Sequence, residues 1–362
     1  MNSRVFERSD VIVLSASVVA IAVTAVTRYS GSPAVLAFVV AAVAIALLAS
    51  VVGRSVEQLG DRFGPGATGV LQSALGNLPE LFIGFFALKA GLVAVVQAAI
   101  IGSILSNVLL VLGLGFLVGG LRHGVQRFDS DRARTSTVLM VLATGALVMP
   151  SLAAYVHAPA APHERALSLI VSIVLLAVFL LSLPSALKRS PATPSEPGGP
   201  SSPAAEHAGP RWPLWLAVAM LTVASVAAAL VSDWFVSALE PAIDALGISQ
   251  AFAGLVVVAI AGNAIENVVG VQLAYRNKAD FALAVIIQSP LQVALVLAPA
   301  LVLLSLFTAT AFTLVFAPLL VMAVAVTVLA VAFIVFDGES NWLEGVVLIA
   351  LYAVIATTFW WG

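Results

Sequence analysis

Two short stretches decide how this chain is read: GNLPELF at residues 76–82 and GNAIENV at residues 262–268. Each lies inside a long apolar run and places one carboxylate there, Glu80 in the first and Glu266 in the second. From Thr68 to Leu88 Glu80 is the only charged residue. Glycine in a helix interior costs about 1 kcal/mol relative to alanine. Pro79 removes a backbone donor and clashes with the carbonyl one turn back. A charge at the bilayer centre costs roughly 2.5–3.5 kcal/mol on insertion scales. Disfavoured choices at one depth, made in two places, point to function rather than folding.

The surrounding sequence sets the scale. The chain has 362 residues, 61% of them hydrophobic and 9% charged, with a mean hydropathy of +1.11. A soluble domain with that balance would have an apolar surface. The apolar runs are continuous and near twenty residues, the length of a membrane-crossing helix and unlike the short alternating strands of a barrel. There is no cysteine, which excludes disulfides, thiolate metal sites and cysteine nucleophiles. His123, His157, His163 and His207 fall in loops or at helix ends without metal-ligand spacing. A net charge of −2 gives no electrostatic reason to bind nucleic acid. The N-terminal apolar run has no small-residue cleavage site and reads as a first span.

Eleven spans are expected, at 11–27, 34–53, 67–88, 92–118, 136–155, 166–186, 213–235, 250–274, 281–305, 311–335 and 341–360. The expected fold is thus an all-α polytopic membrane protein. Residues 188–212 contain SPATPSEPGGPSSPAAEHAGP, which has no apolar face and reads as a cytoplasmic tether. With the N-terminus inside, only Arg28, Lys89 and Arg165 of the 16 Lys and Arg lie outside. The C-terminus is then outside.

Gly76, Asn77 and Glu80 match Gly262, Asn263 and Glu266 at a constant offset of 186. GSILSNVLLVLG (102–113) meets QSPLQVALVLAP (288–299) at the same offset, pairing Ser103 with Ser289 and Ser106 with Gln292. A looser match joins SVEQLGDRFG (55–64) to ALEPAIDALG (238–247). The domains follow: a leading segment and helix (1–30), a first five-helix repeat (31–187), the linker (188–212) and a second five-helix repeat (213–362). Five spans is an odd number, so the second repeat enters from the opposite side. Inverted repeats of this kind place the substrate site of secondary transporters near the midplane, where broken helices meet.

Chemistry follows from that placement. Gly76 and Pro79 favour a helix break beside Glu80, and the second stretch must break on Gly262 and Asn263 alone. Freed carbonyls at this depth must line a cavity. With Asn77, Asn263 and two carboxylates they form an all-oxygen set, suited to a hard divalent cation taking about 6–8 oxygens. Two facing carboxylates repel, and a divalent cation or protons discharge the pair. The two loads exclude each other, which is the physics of an antiporter. Spacings of three or four residues put Asn77 with Glu80, Asn263 with Glu266, Ser103 with Ser106 and Ser289 with Gln292 on shared faces.

Weaker candidates stand beside these. Serine in a membrane helix packs or back-bonds as often as it binds a ligand, so Ser103, Ser106 and Ser289 carry less weight than Gln292. Glu57 and Glu240 lie near span ends, where a solvated charge and a proton-accessible gate are equally good readings. Asp337, Glu339 and Glu344 read as interfacial charges.

The stretches GNLPELFIGFFALKAG, VVQAAIIGSILSNVLLVLGLGFLVGG, VVAIAGNAIENVVGVQLAYRNKAD and DGESNWLEG resemble the calcium/proton exchangers of the wider cation/calcium exchanger superfamily. The likeness runs from about residue 50 to the end. It implies a leading helix with two inverted five-helix repeats, and Ca²⁺ export or sequestration driven by inward proton flow. It also implies Glu80 and Glu266 as central Ca²⁺ ligands, supported by Asn77, Asn263, Ser103, Ser289 and Gln292. Ca²⁺ and H⁺ are then cargo moving across a lipid bilayer, and no cofactor is expected. The chain departs from the family at Asn267, where histidine is usual, and at Gln288, where glycine is usual. An exchanger for Na⁺, K⁺ or Mn²⁺ is the alternative. An enzyme is disfavoured because the spans hold no His-Glu metal motif and no Ser-base pair. The absence of targeting segments suits a prokaryotic plasma membrane, and monomer or homo-oligomer stays open.

Overall fold

The computed structural model of the chain describes residues 6–63, 71, 75–188 and 211–361. The helices are α1 (Arg8–Tyr29), α2 (Ala34–Phe63), α3 (Leu78–Lys89), α4 (Val93–His123), α5 (Ser130–Tyr155) and α6 (Glu164–Lys188). After the linker come α7 (Leu214–Leu246), α8 (Gln250–Gly262), α9 (Ala264–Tyr275), α10 (Ala279–Phe307), α11 (Pro318–Val335) and α12 (Trp342–Thr358). Among the described residues eight helices are long and apolar enough to cross a membrane, and α8 with α9, bent by 65° at their break, passes the same test as a pair. The first part of the span expected at 67–88, and linker residues 189–210, lie outside the described residues.

Local chemistry fixes where the helices start and stop. Glu7 and Asp10 form a reciprocal capping box on α1, and Asn341 with Glu344 does the same for α12. Gly247 closes α7 in the left-handed region, at φ 63°. Among the described residues three stretches are π-helical: Ser106–Val111 in α4, Ala253–Val258 in α8 and Val293–Leu297 in α10. The first and third occupy matched positions of the two GS/QS motifs. Such bulges often mark functional segments.

Burial sorts the helices. In α4 83% of the membrane-length window is buried and in α10 67%, against 22% in α1 and 17% in α6. The first two therefore form the centre, while α1 and α6 lie at the edge with apolar side chains turned outward. Backbones meet closely at the centre. A Cβ on Gly102 of α4 would collide with the backbone of Leu255 in α8, and one on Gly254 with the carbonyl of Val95. Small residues permit this approach in a bilayer, where packing rather than hydrophobicity holds helices together.

One expected span is shorter than the sequence suggests. The helix expected from residue 311 begins at Pro318, after Ala317 in an extended conformation. Phe312, Leu314 and Phe316 are buried all the same. Their non-helical backbone is satisfied by side chains from other helices. Ser168 Oγ accepts from Leu314 N at 2.9 Å, Ser151 Oγ accepts from Phe316 N at 2.9 Å and donates to Leu314 O at 3.0 Å, and Gln97 Nε2 donates to Val315 O at 2.6 Å. Non-helical backbone survives at such positions only when protein groups replace the lost helix bonds.

The only strands among the described residues are β1 (Gln126–Arg127) and β2 (Glu339–Ser340), paired antiparallel with Gln126 opposite Ser340. The ladder ties the α4–α5 loop to the α11–α12 loop, and Arg127 bonds Glu339 at 3.0 Å.

Candidate ion-binding site

The two GN stretches fold alike. Asn77, ahead of α3, has φ −93° and ψ 19°, and Asn263, between α8 and α9, has φ −91° and ψ 19°. The break after Gly262 needs no proline. Pro79 lies in the first turn of α3, where its missing N–H costs nothing. It starts a half-helix instead of kinking a continuous one. Glu80 and Glu266 fall in the first turns of α3 and α9, so the positive ends of two half-helix dipoles face the carboxylates.

Neither asparagine caps its own helix with its side chain. Both amides reach across helices instead. Asn77 Nδ2 donates to Gln292 Oε1 of α10 at 3.1 Å. Asn263 Nδ2 donates to Ser103 Oγ of α4 at 3.0 Å, and Asn263 Oδ1 accepts from Ser289 Oγ at 3.0 Å. Asn77, Asn263, Ser103, Ser289 and Gln292 therefore come together as two connected groups, all buried.

The carboxylates complete the cluster. Glu80 is buried, and its side chain lies flat against Gly262, where a Cβ would stand 2.6 Å from Glu80 Cγ. Its Oε1 has no hydrogen-bond partner among the described residues. Glu80 and Glu266 are near enough for their charges to repel. Glu266 is partly exposed and lines a cavity of about 410 Å³ with Gln288, Ser289 and Gln292. On the Glu80 side the space is only about 20 Å³ and is walled by Ile83, Gly84, Ser103 and Leu301. The site is thus open toward the Tyr275 end of α9 and nearly closed toward the Lys89 end of α3.

Other candidates sit elsewhere. Ser106 Oγ donates back to Ser103 O of its own helix at 3.3 Å, the structural role open to it from the sequence. Glu57 and Glu240 are exposed on α2 and α7 and line neither cavity. Sequence reasoning missed Asn107. It is wholly buried, and its Nδ2 lies 2.9 Å from Ser103 O, 3.0 Å from Asn263 Oδ1 and 3.2 Å from Ser289 Oγ. The signal was available: an amide four residues after Ser103, deep in an apolar span, needs partners as Gln292 does.

A helical membrane bundle with carboxylate, amide and hydroxyl oxygens gathered at two helix breaks defines the class, a polytopic membrane protein of the cation-exchanger kind. The chain belongs to the sodium/calcium exchanger protein family, whose model matches residues 33–187 and 216–361. The Ca(2+)/H(+) antiporter of Aphanothece halophytica is 37% identical over 339 residues, covering 89% of each chain. The Ca(2+)/H(+) antiporter ChaA of Bacillus subtilis is 36% identical over 329 residues, covering 90% of this chain and 92% of that one. The solved structure of native YfkE matches with a TM-score of 0.80 at 32% identity, covering 96% of this chain and 99% of that one. The H+/Ca2+ exchanger CAX shares the fold, with a TM-score of 0.74 at 15% identity, over 96% of this chain and 91% of that one.

Proposed function

We propose that this chain is a secondary transporter that exchanges Ca²⁺ for protons by alternating access, with the two loads competing for Glu80 and Glu266. The observation that carries the reading is the seating of Glu80 on Gly262, which brings the carboxylate of one GN stretch onto the helix break of the other. A buried carboxylate oxygen with no hydrogen-bond partner among the described residues, beside a second carboxylate, is unfavourable unless a proton or a cation occupies the site. Amide and hydroxyl oxygens from α4 and α10 supply further hard donors. The antiporter relatives support the choice of Ca²⁺ and H⁺.

The arrangement we favour is eleven spans, a leading helix and two inverted five-helix repeats, with the N-terminus cytoplasmic in a prokaryotic plasma membrane. Contacts between helix ends support this parity. Arg211 pairs with Glu7 and His123 meets the Tyr275 carbonyl, each joining ends that eleven spans put on one side. On this topology the wide cavity at Glu266 faces the cytoplasm.

The test is ⁴⁵Ca²⁺ uptake into everted membrane vesicles. An imposed pH gradient, acid inside, should drive accumulation, and a protonophore should abolish it. Uptake indifferent to the pH gradient would end the proton-coupling reading.

A further inference from the structure

The wide cavity holds a polar group that the cluster around the two asparagines leaves unused. Gln288 lines it together with Glu266, Ser289 and Gln292. Its counterpart in the first GS/QS motif, Gly102, has no room for a side chain, because a Cβ there would enter the backbone of Leu255. At position 288 the same place on the helix faces open space, and Gln288 is exposed. The glutamine is therefore not fixed by packing. It lines the approach to a carboxylate with an amide side chain.

Its place on α10 extends this. Asp280, Ala284, Gln288 and Gln292 follow at four-residue steps, each beside the next on a ridge that winds around the helix. Asp280 and Ala284 line a small cavity with Asp129, and Ala284 and Gln288 line the large one with Glu266. One ridge of α10 thus winds from an acidic mouth past a small residue and an amide to Gln292, which is bonded to Asn77.

We infer that Gln288 is a direct cation-contacting residue on the access path. It replaces one water of the incoming ion's shell before Glu266 is reached. The inference rests on the transport reading above and adds to it a specificity-determining residue peculiar to the open cavity. A hydrated divalent cation carries about six to eight oxygens, and losing them one at a time to fixed donors avoids a single large dehydration step. A neutral amide suits this role, because a second carboxylate there would hold the ion too tightly to pass it on.

The experiment compares the wild type with Q288A, Q288N and Q288E in everted vesicles at matched protein levels. Initial rates of pH-gradient-driven ⁴⁵Ca²⁺ uptake are measured over a range of Ca²⁺. Loss of one neutral oxygen donor corresponds to about a 3- to 10-fold change in affinity. Q288A should therefore raise the KM for Ca²⁺ by about that factor with the maximal rate unchanged. Q288N should recover part of the loss. Q288E should lower KM and also lower the maximal rate, as release from a stronger site slows. An unchanged KM in Q288A would overturn the inference while leaving the transport reading intact. So would a fall in maximal rate alone in all three variants, which marks a packing role. A wild type that accumulates no Ca²⁺ under the pH gradient would remove the transport reading and this inference with it.

Discussion

The carboxylate arm of Glu80 lies across Gly262, its Cγ 2.6 Å from where a Cβ of that residue would stand. The two residues are 182 positions apart and belong to different GN stretches. Glycine at 262 thus serves both the helix break and the seat of the opposite carboxylate. Gly262→Ala should displace Glu80 while leaving the apolar bundle intact. Misplacing a reacting group by about 1 Å costs on the order of 10²-fold in rate. The expected result is a loss of that order in Ca²⁺ uptake, with a normal elution profile of the purified protein. Uptake at the wild-type rate would show that the contact is dispensable.

Glu80→Gln and Glu266→Gln each keep the size of the side chain and remove its charge. Both variants should fold and both should lose proton-coupled Ca²⁺ uptake. Removing the charge also removes the repulsion between the pair, so thermal stability without Ca²⁺ should rise or stay level. Uptake at the wild-type level in either variant would show that its carboxylate is not a ligand.

Asn107 joins α4 to Asn263 and Ser289 through one amide nitrogen. Asn107→Ala leaves those acceptors short of a buried donor, at a cost of about 1–3 kcal/mol. A lower thermal midpoint in detergent and weaker Ca²⁺ binding should appear together. A stable variant with unchanged Ca²⁺ affinity would show that the amide only fills space.

Ser151 both donates to Leu314 O and accepts from Phe316 N. Ser151→Ala strands two buried backbone groups, at about 1–3 kcal/mol each. The thermal midpoint should fall clearly, while the KM for Ca²⁺ stays as in the wild type, because the segment does not line the site. An unchanged midpoint would mean that the non-helical segment finds other partners.

The parts of this site legible in the sequence are those that are costly in an apolar span. Glu80 and Glu266 stand out because a charge at that depth is expensive, and their matching Gly-Asn frames mark the two breaks. Asn77, Asn263 and Gln292 follow because buried amides need partners. Asn107 falls under the same rule, but its neighbourhood in GSILSNV draws attention to the serines, and Ser106 merely back-bonds its own helix. The non-helical stretch Phe312–Phe316 is invisible to hydropathy, because an apolar segment reads as a span whether helical or not. The side chains of Gln97, Ser151, Tyr155 and Ser168, distant in sequence, permit it to leave the helix. The shape of the cavities depends on how α9 and α10 pack, which periodicity does not encode.

The central claim is that Ca²⁺ and protons exclude one another at Glu80 and Glu266. The direct measurement is calorimetric Ca²⁺ binding to the purified protein in buffers of different ionisation enthalpy, which counts the protons released for each ion bound. Protons should leave as Ca²⁺ binds, the Ca²⁺ affinity should fall as the pH is lowered, and both effects should vanish in the double Glu-to-Gln variant. Ca²⁺ binding that releases no proton, with an affinity independent of pH, would contradict the account.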